Sequence, residues 1–421
     1  MLIEQLPAQY DLIGYPRLVR LNPNIPWKTR GNGAISLQIG VGGSDKIQIG
    51  VLHGTDIFSS ATMKDDVSPS DYTKILTLVK DIVENYSKVE NTATNPGIVI
   101  VKNQPERHLY SNAVTKVVMV DEIISVLDEI DALYKGYKNK RGLIGATSSI
   151  AWVPRDATFE GIAYRLQNAW GTQRYVDDES VKVMDESTKT TFDNYDYTNN
   201  HNRIMPRSPC PILYGIRGED PAELINAVSL IRSEPVESWL IYQTNQGTDE
   251  HLQRKTISDI IQYESVIVQG TVAQSPQTIQ GGHVFFSIKD STGIIDCAAY
   301  EPTKEFRHMI RKLVKGDEVE VYGGVRKKPL TINLEKIRLL KLQKISEKIE
   351  NPLCPTCGKH MKSMGKDQGF KCKRCGKKST APIIREKQRN IQLGFYEVPV
   401  CARRHLSMPL QRKKAMQLSK S

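Results

Sequence analysis

No run of eighteen apolar residues occurs anywhere in the 421-residue chain, so no segment reads as a membrane-spanning helix. The opening residues MLIEQLPAQYDLIGYP have no basic stretch followed by an apolar one, so a secretory leader is not indicated and a cytoplasmic protein is expected. The G-x-x-x-x-G-K-[ST] pattern is absent, which excludes a Walker-type phosphate loop. H-E-x-x-H is absent too, and no Ser-His-Asp or Cys-His arrangement can be assembled from the spacing. Cysteine is scarce for a disulfide framework: of seven, Cys210, Cys297 and Cys401 are scattered, and four sit in pairs at 354, 357, 372 and 375. Paired spacing in a cytosolic setting points to metal rather than to disulfides.

What is present is a chain long enough for two to four domains, with 39% apolar and 7% aromatic residues, a little polar but globular. The net charge of +11 is uneven. Residues 338–421 hold 21 Lys and Arg against 5 Asp and Glu, whereas the rest of the chain is slightly acidic. A polyanion contacted at the basic end and a merely solubilising tail both fit that imbalance.

Residues 1–140 alternate strand-like stretches (AISLQIGV, KIQIGVLHG, NPGIVIVKNQ) with helical spacing, most clearly at 71–89, the mark of an α/β unit. Before them, GYPRLVRLNPNIPWKTRGNGA (14–34) has three prolines, three glycines and no period, and reads as a loop held against a ligand or another element. Residues 141–258 mix strands with a helix at 221–232, as an α+β domain does. Residues 259–345 contain five strand-like segments with a helical one between the third and fourth, the order of an OB-fold barrel; an unrelated β-meander is the alternative. Residues 350–380 form the cysteine unit. Residues 381–421 are basic, weakly patterned and expected to be partly mobile.

CPTCGKHMKSMGKDQGFKCKRCG carries two Cys-x-x-Cys knuckles, each followed by a glycine that permits the tight turn. Cys354, Cys357, Cys372 and Cys375 are therefore expected to close around Zn²⁺ as a structural ribbon. Lys371, Lys373 and Arg374 lie among eight basic residues on it, suited to nucleic-acid phosphates. Phe285, Phe286, Tyr300 and Tyr322 of the barrel are candidates for base stacking, although strand alternation must turn some of them inward.

Upstream, Lys28 and Arg30 flank a Gly-Asn-Gly turn, and Arg141, Gly142 and Gly145 precede small residues. Each could be a phosphate clamp or an ordinary turn. Asp156, Asp193, Asp196 and Glu219 stand beside polar turns, where a solvated acidic loop is the alternative to a metal or cation site.

Seven stretches, in order, carry a resemblance: YPRLVRLNPNIPWKTRGNGA, NPGIVI, RGLIGA, PRDATFEGIAYR, TFDNYD, PCPILYGIRGE and YQTNQGTDEHL. They resemble the archaeal isoleucine-tRNA 2-agmatinylcytidine synthetases over nearly the whole chain. The resemblance implies an α/β kinase-like domain (1–140), a ferredoxin-like α+β domain (141–258), an OB-fold (259–345), a zinc ribbon (350–380) and a basic extension (381–421). It implies ATP-dependent attachment of agmatine to C2 of the wobble cytidine in an isoleucine tRNA with a CAU anticodon, with ATP, Mg²⁺ and Zn²⁺ as cofactors. Within it, Lys28, Arg30 and Asp156 become candidate catalytic residues. Arg141, Gly142 and Gly145 would hold ATP, and Asp193, Asp196 and Glu219 the agmatine guanidinium or metal. One departure is large: the family opens with a strand and an acidic I-D-D-T-D-S-type loop, whereas only MLIEQLPAQYDLIG precedes the first motif here. The kinase-like domain is therefore expected to be incomplete at its N-terminus, with the first motif hanging from a strand this chain does not contain. A tRNA-binding body without catalysis is the alternative function.

Overall fold

The structure is a computed structural model and describes residues 2–27, 32–92 and 94–418. Its largest sheet has eight strands: Asp11–Arg20 (β1), Gly33–Gly42 (β2), Lys46–Leu52 (β3), Thr55–Ser60 (β4), Met63–Asp65 (β5), Thr158–Arg165 (β6), Ile212–Gly218 (β7) and Val236–Thr244 (β8). Their order is β7-β6-β8-β3-β4-β1-β2-β5, and β8 also pairs in parallel with β1. Strands from the first two sequence blocks thus share one sheet.

The motif at 14–34 begins inside this sheet rather than as a loop. Leu12, Ile13, Leu18 and Val19 of β1 are buried, but the register breaks between Ile13 and Arg17, where Gly14 takes a φ of +64°. That bulge spoils the period of two on which recognition of a strand depends. Among the motif's described residues, 21–27 and Asn32 lie outside the strands, and 21–27 continue from β1.

Four helices complete the first block and its boundary: Tyr72–Tyr86 (α1), Arg107–Thr115 (α2), Val120–Glu129 (α3) and Gly142–Ala151 (α4). Leu109, Val114, Ile123, Leu127, Leu143 and Trp152 form the core between them. Helices Asp178–Ser187 (α5) and Pro221–Leu230 (α6) pack Val181, Met184, Leu224 and Ala227 against Leu213, Ile216 and Ile241 of the sheet.

The barrel has strands Ser265–Thr278 (β9), Val284–Lys289 (β10), Ile294–Ala299 (β11), Glu318–Arg326 (β12) and Thr331–Lys341 (β13) in the order β9-β10-β11-β13-β12. It closes where β12 returns to β9 from Ser265↔Gly324 to Thr271↔Glu318. The short helix Phe306–Ile310 (α7) lies between the third and fourth strands, so the barrel is an OB-fold.

A two-stranded stalk, Ile345–Glu350 with Ile383–Lys387, carries the zinc ribbon. Among its described residues the C-terminal segment, weakly patterned in sequence, has regular structure. Gly394–Glu397 (β14) adds to β13, and Leu410–Leu418 (α8) is a helix. It is hard to read from sequence because its partners are ion pairs far away along the chain, not an apolar stripe of its own. Among the described residues no helix is long and apolar enough to cross a membrane.

Candidate active site

The LNPN residues leave β1 and hook three parts of the molecule together. Asn22 is buried; its Nδ2 donates to the carbonyls of Lys116 (3.1 Å) and Tyr263 (2.9 Å). Asn24 Nδ2 donates to Glu264 O (2.8 Å) and Ser265 Oγ (2.9 Å), and its Oδ1 accepts from Arg404 (2.7 Å). Two side-chain amides therefore fix this loop against the entrance to the barrel and the C-terminal segment.

Beside the loop lies a cleft of about 820 Å³, walled by Trp27, residues 32–35, residues 94–97, Lys116 and the start of α4. Arg141, Gly142 and Gly145 all line it, so three of the residues nominated from sequence come together. Gly142 has to be glycine. A Cβ there would lie 2.3 Å from Gly97 N, and one on Gly97 would lie 2.3 Å from Leu143 N. The Arg141 guanidinium lies 5.2 Å from the Trp27 ring centroid, and partial burial lowers its pKa. The amides of Leu143 and Ile144 already bond the carbonyls of Lys140 and Arg141. Attraction for phosphate here thus comes from Arg141, Lys116 and the helix dipole more than from free amides. No carboxylate is among the described residues lining the cleft. Lys28 and Arg30 lie outside the described residues.

The four nominated carboxylates are elsewhere, under the C-terminal segment, and the structure gives each of them to the chain itself. Arg412 forms a two-point pair with Asp156 (2.6 and 2.7 Å), meets Glu219 at 3.2 Å and donates to Gly247 O at 3.0 Å. Asp193 pairs with Arg403, both nearly buried, and Arg403 reaches Glu397 at 2.7 Å. Asp196 is 2% exposed and accepts from Cys401 N (2.9 Å) and Asn199. Asp193 and Asp196 are buried against the chain's own groups, whereas Asp156 and Glu219 share Arg412 and keep 24% and 35% of their side chains exposed. Arg403 and Arg412, the partners, belong to a segment whose sequence signals only its charge.

YQTNQGTDEHL joins the same parts. Asn245 holds both backbone groups of Arg20 (2.8 and 2.9 Å) and donates to Tyr110 Oη (2.8 Å). Gln246 donates to Glu160 (2.5 Å), and Glu250 takes Arg107 (2.8 Å). Asp249 pairs with Lys336 of the barrel (2.6 Å), and His251 Nε2 meets Glu335 Oε2 at 3.0 Å. Burial pushes the Glu335 carboxyl up, but His251 and Arg404 outweigh it and hold the group at about 2.

The ribbon is built as its spacing demands. The Sγ atoms of Cys354, Cys357, Cys372 and Cys375 all lie within 4.8 Å of one another. Each knuckle repeats the same bonds: Gly358 N to Cys354 O and Gly376 N to Cys372 O, both 2.9 Å, with φ of +59° and +78° at the glycines. Backbone hydrogen bonds from Cys375 and Arg374 bring the Cys372 thiol down to about 6, towards the thiolate a metal requires. Four sulfurs converging on one point suit a tetrahedral Zn²⁺ with no open position. His360 is not in the cluster; its Nδ1 faces Asn351 O at 3.0 Å. Lys371, Lys373 and Arg374 are exposed around it.

Of the barrel aromatics, Phe286 and Tyr322 are buried, and Phe395 of β14 lies against Tyr322. Phe285 and Tyr300 remain part-exposed, with Arg326 4.6 Å above the Tyr300 ring.

Family models match the chain in four pieces: the TiaS TCKD domain over residues 1–139, the TiaS FLD domain over 140–251, an OB-fold nucleic acid binding domain over 266–340 and the TiaS C-terminal zinc ribbon domain over 351–391. The isoleucine-tRNA 2-agmatinylcytidine synthetase TiaS of Methanocaldococcus jannaschii is 41% identical over 421 residues, covering 98% of this chain and 93% of that protein. The chain belongs to the TiaS family. The TiaS of Archaeoglobus fulgidus is likewise 41% identical, over 95% of this chain and 89% of its own length. TiaS solved in a complex with isoleucine tRNA and ATP aligns at a TM-score of 0.83 and 39% identity, over 98% of this chain and 92% of that one. A TiaS complex with isoleucine tRNA, AMPCPP and agmatine aligns at 0.80 and 36%, over 98% and 91%.

Proposed function

We propose that this chain is a ligase that forms a carbon–nitrogen bond between agmatine and C2 of the wobble cytidine in an isoleucine tRNA with a CAU anticodon, driven by ATP. The observation that carries the reading is the match across 98% of the chain to TiaS bound to isoleucine tRNA, a nucleotide and agmatine. A tRNA-binding body without catalysis is not favoured, since relatives 41% identical over nearly the whole chain are named as synthetases.

The reaction needs activation because the C2 oxygen of cytosine leaves poorly. A phosphoryl group from ATP placed on that oxygen makes it a phosphate. The primary amine of agmatine then bonds to C2, the carbon–oxygen bond breaks, phosphate departs and the amine loses a proton. In this reading Arg141 and Lys116 face the nucleotide phosphates, while Gly142 and Gly145 keep α4 close enough to the cleft floor. Lys28 and Arg30, just beyond Trp27 in sequence, remain candidates for the same phosphates. Mg²⁺ enters on the nucleotide, because the described cleft residues supply no carboxylate for it. The four cysteines hold Zn²⁺ for structure alone, and Lys371, Lys373 and Arg374 meet RNA phosphates. Asp156, Asp193, Asp196 and Glu219 hold the C-terminal segment.

The test is direct. The purified chain is incubated with an unmodified transcript of the tRNA, ATP and agmatine, and its nucleosides are analysed by mass. An agmatine adduct on the wobble cytidine is expected only when ATP is present. A wobble cytidine left unmodified under all conditions would end the proposal.

A further inference from the structure

Trp27 lines the cleft yet is 48% exposed. Two contacts fix its indole. The Arg141 guanidinium lies over the ring at 5.2 Å, and the Tyr263 ring meets it edge-on with centroids 5.8 Å apart. Tyr263 belongs to the segment that enters the barrel and has a φ of +70°, a backbone region unfavourable to a bulky side chain. Hydrogen bonds keep it there: its N–H donates to Val325 O (3.0 Å), and its carbonyl accepts from Asn22 (2.9 Å), which shares the loop with Trp27. A tryptophan that served only to fill a core would be covered. This one is held rigid, wetted and backed by a cation at a cleft.

We propose that Trp27, positioned by Arg141 and Tyr263, is a stacking platform for a nucleobase. The inference rests on the function proposed above, which brings two bases to this region: the adenine of ATP and the cytosine of the wobble position. Both offer the same chemistry, a flat heteroaromatic face with polar edges and phosphate nearby. The cleft matches that chemistry. Thr94 and Asn95 line the cleft with a hydroxyl and an amide suited to base edges, and Lys116 with Arg141 favours the attached phosphates. Arg141 acts as a positioning residue, since a guanidinium stacked on one ring restrains its plane.

The test uses the full-length, zinc-loaded protein and measures binding by calorimetry and by quenching of indole emission. The ligands are ATP, inorganic tripolyphosphate, an anticodon stem-loop with cytidine at the wobble position, and the same stem-loop abasic there. Stacking of one base is expected to make Trp27→Ala weaken one base-bearing ligand by roughly ten- to hundredfold, with its base-free counterpart unchanged and Trp27→Phe recovering most of the loss. Loss on the ATP arm assigns adenine, and loss on the RNA arm assigns cytosine. An unchanged thermal midpoint separates this from misfolding. Equal affinity of the unaltered chain and Trp27→Ala for both ATP and the cytidine stem-loop overturns the platform and leaves the ligase reading standing. Failure of agmatine transfer by the unaltered chain, with platform binding intact, strikes the ligase reading alone.

Discussion

Asp193 and Arg403 are 210 positions apart in sequence, and neither side chain is more than 7% exposed. Burial raises the Asp193 pKa, and the Arg403 charge opposes that rise. Asp193→Asn leaves Arg403 with Glu397 as its carboxylate partner, and breaking a buried pair costs about 3 kcal/mol. Urea unfolding should show that loss, and catalysis should suffer for both small substrates alike. A stable Asp193→Asn protein with only its agmatine requirement raised would return this residue to the amine site. Gly142 offers a second check. Its added Cβ meets backbone at 2.3 Å, whereas that of Gly145 would meet the flexible Leu21 Cδ1 at 3.3 Å. Gly142→Ala should therefore lose at least about tenfold in ATP affinity, on the order of 1.4 kcal/mol, and Gly145→Ala much less. Comparable effects of the two would show that the Gly97–Gly142 contact does not shape the cleft. A glycine before small residues is legible in sequence. Gly97, the residue it must touch, is not, because nothing local links the two.

Elements whose information is local could be read directly. Helix α1 shows a 3.6-residue period, and the barrel strands alternate around a helix in the right place. The C-terminal segment could not, since β14 is held by β13, and Arg403, Met408 and Arg412 by Asp193, Lys336, Asp249 and Asp156, which contribute nothing to a pattern within the segment. Strand β13 carries the junction between barrel and sheet through Glu335 and Lys336. Glu335 falls from its ordinary 4.5 to about 2 on folding, so it binds fewer protons in the folded state than in the unfolded one. The stabilisation is then present above pH 4.5 and is lost as pH falls from 4.5 through 2, amounting at most to roughly 3 kcal/mol. Glu335→Gln should flatten that part of the acid limb when unfolding free energies of the two proteins are compared across this range. An identical pH dependence in both would remove Glu335 as a source of acid sensitivity.

At the scale of the whole molecule, the ribbon stands apart from everything else. Its own core is little more than Met361, Phe370 and the cysteines, and all five residues of the stalk strand Ile383–Lys387 are exposed. Too few apolar groups are present to hold it without metal, whereas the barrel and the eight-stranded sheet have extensive cores of their own. Cys357→Ser or chelation should therefore unfold the ribbon and leave the cooperative unfolding of the remainder in place. The consequence for tRNA follows from charge. Phosphate contacts release counterions, and each one lost reduces the slope of log affinity against log salt by about 0.7 to 0.9. Replacing Lys371, Lys373 and Arg374 together by Ala should thus flatten the slope by roughly 2 to 3 if all three touch phosphate. Chelation should flatten it as well, because it releases the ribbon's basic side chains from a fixed arrangement against phosphate. A triple variant with an unchanged slope would place the RNA on another surface, such as the Phe285, Tyr300 and Arg326 face of the barrel. The ribbon would then be a metal-held appendage with no part in holding the tRNA.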